Sequence, residues 1–393
     1  MNPPNGERGI YQLLIIHLSD IHFGSSHAFN PAIGPDGTSI ADPGVPSFVE
    51  LLLGDLVSPD PACPVCVAIT GDFTTKCEES GFNQARDFLD QLAKAKIFGR
   101  TLGKANIHIV PGNHDVAFEK ADPVLRWQLF TDLANKALER NFQAAEPMGT
   151  VELHDHSDDG FMVLTLNSEI HVRKGSNDEF RGQVDQAQLA KVTDLLESSK
   201  EKLQRSICIA LVHHHPVLIP HLVESGRNYD AVVNSGMLLN ILNKHGFHLI
   251  LHGHKHWPCT FTSDTRAAYE SAYVRPLTVV AGGSLGSRAL PQGTEMNCYN
   301  RIWIKWNSGS EEVRIAVDTR GLQRRDKDNQ LMPATKWHWR TMRSDDRAFS
   351  RNERIPLIFN MRKTESRQGS DPAEVARKAE YERCRRNMAV VEV

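Results

Sequence analysis

The sequence predicts an α/β layered domain, because apolar runs of strand length alternate with stretches of helical periodicity through most of the chain. Two further observations bound that reading. At 393 residues the chain exceeds the size at which one core stops growing, so a large domain with an appendage, or two domains, is expected. The alternating pattern also ends near residue 319, which places a large body at 1–319 and an extension at 320–393.

The elements follow in order. Strands are expected at 12–18, 65–70, 106–110, 161–166, 207–212, 248–251, 277–281, 301–306 and 312–317. Between them, 80–96 spaces Phe82, Ala85, Phe88, Leu89 and Leu92 along one helical face. Asp122-Pro123 opens a second helix with an N-cap residue and a proline at the first position. A third runs from Asp185 to about Ser199, and a fourth from Ser235 to His245, closed by Gly246. Residues 24–62 form a Gly/Pro-rich insertion, read as a long surface loop with one short helix. Beyond 319 the chain is polar, with Trp337, Trp339 and the IPLIF cluster expected to pack part of it back on the body. Asp371-Pro372-Ala373-Glu374 then resembles a capping box opening a basic helix to Met388.

Composition excludes collagenous, membrane-spanning and wholly disordered classes: 40% hydrophobic, 24% charged, 27 Gly and 20 Pro. The net charge of −3 argues against a protein that coats nucleic acid. It hides a split, since 320–393 carry 18 basic against 11 acidic residues while the rest of the chain is net acidic. The N-terminus shows no signal peptide or spanning segment, so a cytoplasmic protein without a membrane partner is expected. Seven cysteines in so long a chain are no disulfide framework, and Cys63-Pro64-Val65-Cys66 is read as two reduced structural thiols. The 18 histidines point further, because neutral imidazole is the commonest metal ligand.

Five strand-terminal segments carry metal-binding side chains. Asp20-Ile21-His22 follows LLIIHLS, and residues two apart in a strand share a face, so a carboxylate and an imidazole converge past its end. Gly71-Asp72 follows VCVAIT; a carboxylate ending a buried strand needs a partner or a cation. Pro111-Gly112-Asn113-His114-Asp115 offers an amide oxygen, a histidine free to face substrate and an acid to orient it. His213-His214-His215-Pro216 and His252-Gly253-His254-Lys255-His256 complete the set, with His254 and His256 on one face. Open α/β sheets hold ligands at the carboxyl ends of strands, where all five segments lie. The mixed nitrogen and oxygen donors suit manganese, iron or zinc, and suffice for two metals sharing a carboxylate.

In this order, DIH, GD, GNHD, HHP and GHKH resemble the calcineurin-like metallophosphoesterase superfamily, and HLSDIHFG, ITGDFT, VPGNHD and LILHGHKH read like its cyclic-nucleotide phosphodiesterase-type branch. The resemblance covers about residues 11–319. It implies a four-layer αββα sandwich of two mixed sheets flanked by helices, and a binuclear centre of two divalent or trivalent metals. By resemblance, Asp20, His22 and His256 bind the first metal, Asn113, His214 and His254 the second, and Asp72 bridges them. His214 is preferred among the three consecutive histidines, with His213 as the fallback. A metal-bridging hydroxide would attack phosphorus while His114, oriented by Asp115, protonates the leaving oxygen. The expected substrate is a small or cyclic nucleotide-like phosphodiester. A DNA or RNA nuclease is the alternative, kept open by the basic tail, although GDFTT departs from the GDxFD of the repair-exonuclease branch. A metal-free protein-binding scaffold is the third reading, and the tail could also pack on a second subunit of a homo-oligomer.

Overall fold

Strand β1 (Ile10–Leu18) contains the run Leu13-Leu14-Ile15-Ile16, and both of its faces are covered. Leu13 and Ile15 enter an aliphatic layer between two sheets, while Leu14, Ile16 and Leu18 pack beneath helices. In β10 (Ile207–Leu211), Ile207, Ile209 and Leu211 face the same inner layer, and Cys208 and Ala210 face outward to helices. Strands buried on both faces lose the alternation of half-exposed ones, which explains these uninterrupted apolar runs.

In this computed structural model, residues 10–24, 27–29, 32–33, 39–40, 48–56, 63–142, 151–171, 181–219, 231–263, 276–288, 290–291, 296–307, 312–328, 330–333 and 336–350 are described. The chain divides into a unit Met1–Arg354 and a unit Ile355–Val393, and every described residue belongs to the first. The helix expected from Asp371 lies outside the described residues.

The first sheet comprises β1, β4 (Val65–Thr70), β7 (Ile107–Val110), β14 (Cys298–Asn307), β15 (Glu312–Gln323) and β16 (His338–Ser350), in the order β16-β15-β14-β1-β4-β7. Its β1, β4 and β7 run parallel, and β14 pairs antiparallel with both β1 and β15. The second sheet comprises β8 (Val151–His156), β9 (Phe161–Leu166), β10, β11 (Leu249–His252), β12 (Cys259–Ser263) and β13 (Leu277–Ala281), in the order β12-β13-β11-β10-β9-β8. Here β9, β10, β11 and β13 are parallel, with antiparallel edges. Two small hairpins, β2 (Ala32–Ile33) with β3 (Ser39–Ile40) and β5 (Lys96–Ile97) with β6 (Arg100–Thr101), stand apart.

Helices α1 (Phe48–Gly54), α2 (Glu79–Lys94) and α3 (Pro123–Leu138) cover the first sheet. Helices α4 (Gln186–Ser198), α5 (Lys200–Leu203) and α6 (Ser235–Lys244) cover the second. The Asp122 side chain accepts the Val124 amide at 2.8 Å and Pro123 sits at the first position of α3. Asp185 and Gln188 exchange side-chain and backbone hydrogen bonds in a capping box that starts α4. The result is the expected four-layer αββα sandwich. None of the helices among the described residues is long and apolar enough to cross a membrane. Cys63 and Cys66 are buried free thiols, and burial pushes the Cys66 thiol up to about 12.

The C-terminal region differs in form from the expected extension. The boundary at 319 falls inside β15, and the sheet continues through β16 to Ser350. Polar cross-strand partners, including Arg314 with Asp346, mask the strand character of this stretch in the sequence. The ribbon is tied to the 24–62 insertion: Trp339 Nε1 donates to the Leu51 carbonyl at 2.8 Å, and Arg320 Nε and Tyr299 Oη both donate to Asp55 Oδ2. Arg324 lies over the Phe29 ring at 4.9 Å and donates to the Ala28 carbonyl.

Ile209 sits in the inner layer at 1% exposure. Ile209→Ala is expected to lower unfolding stability by about 2–5 kcal/mol in denaturant titrations. A loss below about 1 kcal/mol would mean that the two sheets can close over the cavity.

Candidate metal centre

The ends of β1, β4 and β7 from one sheet meet those of β10 and β11 from the other, and each delivers one of the five segments. The backbone there is unusual. Asp20, His22, Asp72, His254 and His256 have φ of 52°, 55°, 54°, 77° and 54°, the left-handed region. Each such non-glycine residue costs about 1–2 kcal/mol. Five of the nine described non-glycine residues with positive φ are therefore candidate ligands, a concentration that marks a functional site. Chain segments also approach very closely: a Cβ on Gly253 would stand 2.6 Å from Asp20 Oδ2. Only glycine allows GHKH to close over the first carboxylate.

Two groups of donors form around Asp20 and Asp72. In the first, His256 Nε2 lies 3.3 Å from Asp20 Oδ1 and 3.0 Å from His22 Nε2, with His22 Nε2 3.9 Å from Asp72 Oδ2. In the second, His213 Nε2 lies 3.5 Å from Asp72 Oδ2 and 3.2 Å from Asn113 Oδ1, which is itself 3.1 Å from His254 Nδ1. Donor atoms of Asp20, His22 and His256 all lie within 4.8 Å of one another, as do those of Asp20, Asp72 and His213. Asp72 Oδ2 thus faces histidines of both groups.

The triple histidine departs from expectation: His213, not His214, reaches Asp72 and Asn113. His214 is turned away, with Nδ1 2.7 Å from Glu169 Oε1. The two residues lie in a bend beyond the end of β10, with ring centroids 5.3 Å apart, and their separate hydrogen-bond partners turn one ring to the carboxylates and the other to Glu169.

These residues fit metal ions. Asp20 Oδ1 is buried without a hydrogen-bond partner. His213 Nδ1–H donates to the Thr70 carbonyl at 2.6 Å, and His22 Nδ1–H to the Thr74 carbonyl at 3.3 Å. Nδ1 is thereby committed in both rings, so Nε2, which faces the Asp72 carboxylate in each, is the nitrogen a cation would take up. Electrostatics agree. Burial lowers His22 to about 4 despite the nearby Asp72. Burial also acts against charge on His213, yet Asp72 and Asp20 outweigh it and hold the group at about 9. Burial would raise Asp20, but His256, His213 and His22 hold it below the usual carboxylate range.

His114 is the exposed member of the set. Its amide donates to Asp72 Oδ1 at 2.9 Å and its Nδ1–H to the Thr75 carbonyl at 2.7 Å. The orienting partner is therefore Thr75, where Asp115 was expected. Asp115 instead accepts the amides of Phe73, Thr74 and Gly112 at 3.0–3.1 Å, stapling the GDFT and GNHD turns together. Burial and then the Asp72 carboxylate push Asp115 up to about 7, against the pull of those three amides.

Several contributors escape the motif reading. Ser19 Oγ donates to Asp20 Oδ2 at 2.5 Å, and Thr70 Oγ1 donates to Ser19 Oγ at 2.8 Å. Thr74 Oγ1 donates to the His114 carbonyl at 2.9 Å. Their signal in the sequence was adjacency alone, a hydroxyl beside each ligand-bearing turn.

The calcineurin-like phosphoesterase family model matches residues 13–258. Among solved structures, the chain is similar to the phosphopantetheinyl hydrolase of Mycobacterium tuberculosis, at 12% identity and TM-score 0.35, covering 70% of this chain and 90% of that one. It is also similar to Chaetomium thermophilum Vps29 complexed with a cyclic peptide, at 10% identity and TM-score 0.31, covering 86% and 98%. No curated protein matches the chain.

Because His213 Nε2 faces Asp72 and Asn113, His213→Ala is expected to lose one metal ion per chain by elemental analysis. Full metal content in that variant would move the ligand position to another residue.

Proposed function

The chain belongs to the calcineurin-like phosphoesterase family, and from that premise we propose that it hydrolyses small phosphodiesters, cyclic nucleotide-like esters among them. The family supports metal-dependent phosphoester hydrolysis in general. The observation that carries the finer reading is the placement of an exposed His114, fixed at Nδ1, beside a shared buried carboxylate, Asp72.

Asp20, His22, His256 and Asp72 would hold one metal ion, and Asp72, Asn113, His213 and His254 the other. Manganese, iron and zinc all suit this nitrogen and oxygen donor set. When bound, such a pair supplies positive charge to the phosphoryl oxygens and activates water. The remaining work belongs to the chain. His114 Nδ1–H is committed to Thr75, so Nε2 is the nitrogen that carries a proton to the leaving oxygen. Esters with alkoxide leaving groups need this proton more than aryl esters do, because an unprotonated alkoxide is a poor leaving group. The His22 ring, edge-on to His114 with centroids 5.1 Å apart, limits how far that imidazole can swing. The Asp115 staple holds the two turns that carry Asp72 and His114 in register.

The nuclease alternative drew on the basic tail. In the described part of that tail, Arg320, Arg343 and Arg347 are already engaged, with Asp55, Asp345 and the Thr260 carbonyl respectively.

A metal-reconstituted panel of a bis-aryl phosphate, cyclic nucleotides, nucleic acid and phosphomonoesters tests the proposal. His114→Ala is expected to cut diester turnover by roughly 10²–10⁴-fold while metal stays bound. Asp72→Ala is expected to lose metal. Normal turnover in either variant, or a clear preference for nucleic acid, would overturn the assignment.

A further inference from the structure

Strand β9 ends at Leu166 beside β10, and the chain continues as Asn167-Ser168-Glu169 alongside the three histidines. Here a carboxylate, an imidazole and a hydroxyl are shut away from water. The Glu169 and His214 side chains both have 0% exposure. Glu169 Oε1 accepts His214 Nδ1–H at 2.7 Å and the Ser168 hydroxyl at 2.9 Å. The Glu169 amide is fixed in turn by Asn167 Oδ1 at 2.7 Å. Gly182 closes the other side: a Cβ there would stand 2.6 Å from His214 Cγ. Two polar atoms, Glu169 Oε2 and His214 Nε2, are buried without hydrogen-bond partners.

A buried acid–imidazole pair is poor packing material. Its desolvation cost tends to exceed its mutual attraction, and apolar residues of similar volume would fill the space more cheaply. Its position gives it another use. The His214 ring centroid lies 4.2 Å from that of His254 and 5.3 Å from that of His213. Both of those rings direct nitrogens at Asn113 Oδ1. Locked at Nδ1 by Glu169 and roofed by Gly182, the His214 ring leaves His254 little room to rotate away from Asn113.

We infer that Glu169 and His214 are positioning residues that hold His254 and His213 in the orientation the second metal position requires. The inference rests on reading Asn113, His213 and His254 as that position. Partners of this kind typically change metal affinity or activity by 10–100-fold.

The test is Glu169→Gln in the full chain, reconstituted with Mn(II) and dialysed against a chelator. The expected result is one ion retained and the second bound about 10–100-fold more weakly, with turnover restored by excess Mn(II). Excess Mn(II) is expected to leave His114→Ala as slow as before, which separates positioning from proton transfer. Wild-type retention of both ions by a folded Glu169→Gln overturns the inference. If circular dichroism shows that variant unfolded, Ser168→Ala, which removes the hydroxyl that bonds Glu169 Oε1 and lies 3.0 Å from His214 Nδ1, is measured instead. Its second ion is then expected to bind more weakly, and unchanged binding overturns the inference. Asp72→Ala in the same assay separates the two levels. Both ions retained there would sink the metal-site reading itself, whereas their loss together with intact binding in Glu169→Gln sinks only the positioning role.

Discussion

Asp20 and Asp72 put two carboxylates where water hardly reaches, and most of the surrounding architecture answers the cost of doing so. Two sheets must end at the same edge to bring five loops around them. The backbone must enter the left-handed region at residues that are not glycine. A hydroxyl must fill part of the acceptor capacity, as Ser19 does for Asp20. What those groups leave unsatisfied, Asp20 Oδ1 foremost, calls for a cation. Binding and strain are thus two sides of one arrangement, since the ions that would compensate the carboxylates also compensate the backbone.

Much of the fold was legible because the central strands are buried on both faces and read as unbroken apolar runs. The nine expected strands all lie on observed ones, with ends shifted by a few residues. Strands β8, β12 and β16 were not foreseen, and each is an edge strand with polar residues, such as VELHDH and HWRTMRSDDRAFS. Edge strands need only one apolar face, and β16 offsets much of its charge against Arg314, Asp318 and the second sheet. Hydropathy therefore says little about them.

The site was legible at the level of segments and less so at the level of atoms. The HHHP segment marks a histidine that faces the carboxylates, but which of His213 and His214 it is depends on Thr70 and Glu169, more than forty residues away in each case. Asp115 was misread for a similar reason. Adjacency to His114 suggested a side-chain partner, whereas in a tight turn neighbouring side chains diverge and the nearer acceptor is the Thr75 carbonyl. Glu169 had no motif around it. Its burial becomes visible only once β9 lies against β10.

The left-handed backbone at Asp20, His22, Asp72, His254 and His256 bears on how such a chain can change. Glycine at any of these positions would relieve steric strain, and a selection for thermal stability of the metal-free chain would reward it. The same exchange removes a ligand. Stability and metal binding therefore pull in opposite directions at these five residues, and libraries screened by melting temperature alone would drift toward well-folded, empty sandwiches. Screening in the presence of metal reverses that drift, because ligand binding to the folded state then rewards keeping the strain.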